Sequence, residues 1–244
     1  MKKLLYFLLL LYISFFLQML AAKENEISKA ELELIERARR APASENWAQL
    51  SGKIYHKKRN LETKEHSIYL GMRFTSEMIF AQITIDNIET YTISQGFNSK
   101  TPTIIKEGDM NSKVLEQIGL RPEELTMSFL FWEPVKFSGD KIFKTSKCAE
   151  IEFFSEQANE RAVVLLNREY AFPLKVEWFE NKNELLRTME IGSFKKENNY
   201  WIVDEILIYG PGWRTKVAFT DVKVGSASDG IPSDLFRKTL PIEN

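Results

Sequence analysis

The stretch "RPEELTMSFLFW" (residues 121–132) begins as a helix and ends as an aromatic block. Pro122 with Glu123 and Glu124 suits a first helical turn: proline gives up no hydrogen bond there, and carboxylates favour the positive end of the helix dipole. Met127, Phe129, Leu130, Phe131 and Trp132 then crowd into six positions, with Ser128 as the only polar member. A helix packed on one core needs an apolar stripe on about half its surface. This one is apolar nearly all round, yet too short to span a bilayer. It must be covered on two sides, so its surroundings decide the fold.

Those surroundings alternate with a period of two. Upstream, "WAQLSGKIYH", "HSIYLGMRF", "EMIFAQITID" and "IETYTISQ" read as successive strands over residues 47–95, broken by short polar turns. Ile68, Leu70, Met72 and Phe74 share one face, Tyr69 and Arg73 the other. Residues 98–121 look loop-like with a short helical piece, "NSKVLEQIGL". Downstream, "KCAEIEFFS", "RAVVLLNRE", "PLKVEWFE", "LLRTMEIGSFKK", "YWIVDEILIYG" and "WRTKVAFTDVKV" resume the pattern with hairpin-like connections. Leu174, Val176 and Trp178 oppose Lys175 and Glu177; Trp213, Thr215, Val217 and Phe219 oppose Arg214, Lys216, Ala218 and Thr220. Strands this one-sided belong to a sheet with one covered face.

A helix precedes the strands in "ISKAELELIERARRAP". Ser28 is its N-cap, Glu31 completes a capping box, Ile27 and Leu32 form a staple, Leu32, Ile35 and Ala38 give the stripe, and Pro42 stops it. A final "IPSDLFRKTL" offers a turn of helix packed through Phe236 and Leu240. The expected fold is therefore mainly β (α+β). Roughly ten antiparallel strands form one strongly curved sheet, an unclosed β-barrel, with an N-terminal helix and a central helical lid.

Residues 1–22 stand apart. Lys2 and Lys3 precede an apolar run over residues 4–17, and Ala21-Ala22 leads into polar "KENE". This is the order of a signal peptide, cleaved near Ala21-Ala22, which predicts a periplasmic protein. Met19 or Leu20 fits the position three before the cut poorly, so a retained anchor is the alternative. Residues 23–244 are then expected to form one half-barrel domain.

At 44% hydrophobic and 27% charged residues the chain can bury a sizeable core. A net charge of −1 implies no basic face and argues against nucleic acid as a partner. The single cysteine, Cys148, rules out an internal disulfide and reads as a buried structural thiol.

Catalytic patterns are missing. There is no G-x-S-x-G, G-x-G-x-x-G, P-loop or cysteine pair. Acid pairs such as Glu123-Glu124 and Asp204-Glu205 are ordinary for an acidic chain of this size. His56 and His66 flank the basic stretch of one hairpin. A metal would need a third ligand, so they read as solvated turn residues, like Lys57-Lys58-Arg59. Neither an enzyme, a cofactor nor a metal is expected. The five tryptophans, Trp47, Trp132, Trp178, Trp201 and Trp213, fit a packed core or a cavity lining.

Several stretches carry a family likeness from about residue 47 to 240. "LTMSFLFWEP" resembles a lid-like helix ending in an aromatic pair, and "VVLLNREYAFPLKVEWFENKNELLRTMEI" resembles paired strands entered through Pro-Leu. "FKKENNYWIVDEILI" resembles a strand pair crossing through a Trp, and "WRTKVAFTDVKV" with "IPSDLFRKTL" resembles a closing strand and tail. Together they resemble the bacterial outer-membrane lipoprotein-sorting protein family, the LolA-like periplasmic carriers. That resemblance implies an unclosed barrel whose helices plug the mouth. It implies a carrier that binds acyl chains of lipoproteins, or lipids, in a hydrophobic cavity and moves them toward the outer membrane.

Its partners would be acylated lipoproteins or lipids, an inner-membrane donor complex and an outer-membrane acceptor, and the carrier itself a monomer. The expected cavity residues are Trp47, Leu70, Met72, Phe74 and Phe80 from the first strands and Phe129, Leu130, Phe131 and Trp132 from the lid. Val176, Trp178, Trp201, Val217 and Phe219 complete the set from the last strands. Arg73 or Arg214 would tether the lid. The alternative is a periplasmic sensor or interaction module of the same fold that binds a lipid or a protein.

Overall fold

The computed structural model describes residues 27–40, 44–180 and 183–237. The expected leader, residues 1–22, lies outside them, as do Pro42 and Leu240. Twelve antiparallel strands form one curved sheet: β1 (Asn46–Lys58), β2 (Lys64–Phe74), β3 (Met78–Ile85), β4 (Glu89–Gly96), β5 (Thr103–Gly108), β6 (Glu133–Phe143), β7 (Ser146–Ser155), β8 (Glu160–Asn167), β9 (Pro173–Glu180), β10 (Leu185–Glu197), β11 (Tyr200–Gly210) and β12 (Trp213–Ser226). Their order is β5-β4-β3-β2-β1-β12-β11-β10-β9-β8-β7-β6. Every neighbour is a neighbour in sequence except at the β1–β12 seam. The one consecutive pair that does not bond is β5 and β6, which form the two edges. The sheet is an unclosed barrel, mainly β, as expected.

Two strands more than expected are present, and they are those two edges. β5 is exposed along most of its length, and β6 leaves Val135 and Ile142 in solvent. An edge strand so little covered has weak reason to alternate, so periodicity is nearly silent there.

The seam shows how tightly register is held. Leu50 sits between Val222 of β12 and Leu70 of β2, and Ile54 beside Val217. A bulge between Ser51 and Gly52 shifts the β12 register. A Cβ on Gly52 would stand 2.0 Å from the Ala218 carbonyl oxygen, so the bulge requires glycine.

The N-terminal helix, α1 (Lys29–Arg39), is capped by Ser28, whose Oγ accepts from Ala30 N (3.2 Å). Its buried stripe is Leu34 and Ile35; Leu32 is 45% exposed. The expected staple therefore gives way to a helix rotated to bury Leu34. Arg168, at the end of β8, holds its acidic side, pairing with Glu31 (2.9 Å) and Asp140 (2.5 Å). The C-terminal segment packs through Leu235 (2% exposed), and Phe236 is left in solvent. It lies on the outer face of β1 and β2, where Tyr69 OH donates to Leu235 O (2.6 Å) and Arg237 covers the Tyr69 ring at 4.3 Å.

Residues 109–132 cross the gap between β5 and β6. They are not one helix. A turn of helix, α2 (Val114–Gln117), is followed by α3 (Pro122–Leu125) and a 3-10 turn over Ser128–Phe131. The break falls at Met127, in the left-handed region at φ 55°. That kink answers why the segment is apolar all round. Phe129 points into the sheet core, edge-on to Trp178 of β9 at 5.5 Å, while Phe131 meets Phe97 beyond β4 at 6.1 Å. Phe129, Leu130, Phe131 and Trp132 are all at most 7% exposed.

Glu89 fixes the start of the insertion. Fully buried at the head of β4, it accepts from Val114 N (2.8 Å), Leu115 N (2.9 Å) and Lys106 Nζ (3.3 Å). Burial alone would raise its carboxyl, but these donors outweigh it and hold the group below the usual carboxylate range. Its contribution to stability is thus full above the unfolded pKa of about 4.3 and is lost as pH falls through the lower folded value. Glu89→Gln should therefore lose stability most near neutral pH, by about 1–3 kcal/mol. Acid titration by circular dichroism should show a shallower decline below pH about 4.3 in the variant; parallel curves would dissociate Glu89 from the acid transition.

Candidate functional site: a cavity under a tethered insertion

The insertion does not fill the concave face. At the end where α1 crosses, a cavity of about 260 Å³ remains. Strand residues build its walls, alternating except in β11: Ala48 and Leu50 of β1, Leu70, Met72 and Phe74 of β2, Ile79 of β3, Ile202, Val203 and Ile206 of β11, and Phe219 of β12. Its roof is Leu125, Thr126, Met127, Leu130 and Phe131. At the rim stand Phe97, Phe172, Trp201 and, from α1, Arg39 and Arg40. Trp201 is 65% exposed, an indole standing in solvent at the mouth.

Two sets of polar contacts hold the roof down. At the rim, Arg39 Nε donates to Leu130 O (2.7 Å) and its Nη2 to Trp132 O (2.9 Å). These are the carbonyls that the tight 3-10 turn leaves over. At the far side, Arg187 of β10 faces inward, only 8% exposed. Its Nε donates to Glu124 Oε1 (2.5 Å), and its guanidinium lies over the Trp178 ring at 4.9 Å. Arg121 grips Glu160 of β8 with two bonds of 2.8 Å, and Arg187 stands 3.7 Å from the same carboxylate. Glu124 Oε2 in turn accepts from Arg121 N (3.1 Å). The network ties α3 to three strands.

These tethers replace the expected ones. Arg73 pairs with Glu45 on the outer face, and Arg214 projects outward from β12. Lid contacts come from the inner face and from α1, where strand parity puts neither Arg73 nor Arg214.

Of the expected cavity residues, Leu70, Met72, Phe74, Leu130, Phe131, Trp201 and Phe219 line it. Phe129, Trp132, Val176, Trp178 and Val217 are buried in the core under the insertion, outside the cavity lining. Trp47 and Phe80 are corrections. Ala48, Ile79 and Ala81 hold the inward positions beside them, so both rings face out, and Trp47 Nε1 donates to Gly230 O (2.9 Å). The sequence reading also passed over Ala38, Arg39, Leu50, Ile79, Met127 and Ile206. Parity could have supplied Leu50 and Ile79; nothing in the sequence places α1 over the mouth.

The histidines are a further correction. His56 is 4% exposed on the inner face of β1, and the His66 side chain is 17% exposed. Cys148 is fully buried, and burial pushes its thiol up, which suits an inert side chain. Among the described residues, no group of three or more His, Cys, Asp or Glu side chains is placed to hold a metal ion, and no helix is long and apolar enough to cross a membrane.

Neither a family model nor a curated protein sequence matches the chain. Solved structures do. A DUF1329 family protein from Desulfovibrio piger superposes with a TM-score of 0.68 at 13% identity, over 87% of this chain and 98% of that one. A putative outer membrane lipoprotein-sorting protein domain from Vibrio parahaemolyticus gives 0.60 at 16% identity, over 86% and 98%. A LolA superfamily protein from Nitrosomonas europaea gives 0.52 at 12% identity, over 84% and 96%. The chain thus has a LolA-like fold, similar to those of a putative lipoprotein-sorting protein domain, a LolA superfamily protein and a DUF1329 family protein.

Proposed function

We propose that this chain is a non-catalytic periplasmic carrier that shelters acyl chains of lipoproteins or lipids in the cavity and moves them toward the outer membrane. The observation that carries the reading is the apolar cavity roofed by a segment held at its rim by two backbone hydrogen bonds from Arg39. An acyl chain gains about 0.8 kcal/mol for each CH₂ removed from water, so crossing water unaided is prohibitive. A cavity of about 260 Å³ exceeds the roughly 150 Å³ that accepts benzene. It takes part of a chain as it stands and a whole one when Leu130 and Phe131 withdraw. The roof side chains then compete with the cargo for the same walls, which keeps net affinity low enough for release.

Native mass spectrometry of the purified protein with a synthetic acylated peptide tests this. The wild type should take up the peptide, and Phe131→Glu should change the occupancy. Arg39→Ala should raise apparent affinity about tenfold or more, because two charge-assisted bonds of about 1.5–3 kcal/mol each hold only the closed state. Faster hydrogen exchange over residues 128–132 should accompany it. No uptake by the wild type or by Arg39→Ala would remove the carrier reading.

A further inference from the structure

At the opposite end of the barrel, about 25 Å along β1 from Ala48 at 3.3 Å per residue, lies a second, smaller cavity. Its volume is about 180 Å³, and His56, His66, Glu62, Lys58, Lys64 and Gln117 are among its walls. His56 pairs with Lys64 and His66 with Ile54, so the two imidazoles are diagonal neighbours on one face of the β1–β2 ladder. Side chains in that relation lie within reach of each other.

The hydrogen bonds fix which ring nitrogen is free. Thr215 Oγ1 donates to Ile118 O (2.5 Å), so it accepts from His56 Nδ1 (2.8 Å). The Asp86 carboxylate can only accept, so His66 Nδ1 donates to it (2.6 Å), beside the Ser67 amide (2.7 Å). In the neutral rings both Nε2 atoms then carry a lone pair. Both are buried, and neither has a hydrogen-bond partner. Two buried acceptors without a donor are costly.

We propose that the Nε2 atoms of His56 and His66 bind a divalent transition-metal ion of the zinc class, with water completing the shell. Imidazoles whose other nitrogen donates to a carboxylate or hydroxyl are oriented as metal ligands usually are, and Asp86 and Thr215 fill that outer role. Two imidazoles with water make a weaker site than a closed cage, and Lys58 and Lys64 at its rim weaken it further. The ion would staple the β1–β2 hairpin beside Gln117 and Ile118, where the insertion begins.

Zinc chloride titrated calorimetrically into tag-free, chelator-treated protein at pH 7.5 tests the site. One ion per chain is expected, with affinity reduced at least tenfold in His66→Gln and in His56→Gln, and raised in Lys64→Gln. His66→Gln, at a partly exposed position, is the variant that should keep the fold. Zinc should raise the melting temperature of the wild type and leave that of His66→Gln unchanged. Side-chain ¹⁵N spectra should show both Nε2 resonances moving on zinc addition. Absence of saturable binding, or binding of equal strength in folded His66→Gln, overturns the proposal.

Discussion

Arg187→Ala should lose about 3–5 kcal/mol of folding stability, the cost of leaving a buried carboxylate without its partner. Glu124 is 2% exposed, and Arg187 is the side chain that neutralises it directly. Arg121 cannot take over fully, because both its terminal nitrogens are spent on Glu160. Burial already pushes the Glu124 carboxyl up against the pull of Arg187 and Arg121. With Arg187 gone the folded state takes up a proton that the unfolded state does not hold. A folded pKa above the unfolded one makes stability fall as pH rises through that interval. The variant should therefore be less destabilised at pH 5 than at pH 8. Urea denaturation at the two pH values checks both statements. Replacing Arg187 and Glu124 together by leucine should recover most of the loss. A loss under about 1 kcal/mol for Arg187→Ala would mean that water reaches Glu124.

Trp178→Ala should cost a similar amount, about 3–5 kcal/mol, for a different reason. The indole is 1% exposed and fills the space between β9 and the 3-10 turn, with Phe129 edge-on to it and Arg187 over its face. Its removal leaves a hole that Phe129 cannot fill without giving up the turn. Because Arg187 and Trp178 touch, their substitutions should not add. The double variant should cost at least about 0.5 kcal/mol less than the sum of the two singles. Strict additivity, measured by the same denaturation series, would separate the ion-pair network from the aromatic core.

The sheet was largely legible in the sequence because burial on one face imprints a period of two. In β2 and β12 the sequence separates the two faces, down to which residues meet the core. Legibility failed where that physical cause is absent. β5 and β6 lie at open edges and have no pattern to read. The aromatic block at residues 127–132 looks like one apolar helix because composition does not reveal a left-handed residue at Met127. The cavity was legible only as a class of residues. Trp47 and Phe80 are as greasy as their neighbours, and parity alone turns them outward. Arg39, Arg121 and Arg187 were unreadable as tethers, since each finds its partners far away in sequence. The polar neighbours of His56 and His66 point to solvent, whereas the strand carries His56 to an inward position.

The missing β5–β6 ladder has a mechanical consequence. In a closed barrel the girth is set by strand number and stagger, and it cannot change without breaking a whole row of hydrogen bonds. Here the circumference is completed by side chains of residues 109–132, with no ladder to fix it. The count and stagger of strands therefore do not by themselves dictate one girth for this wall.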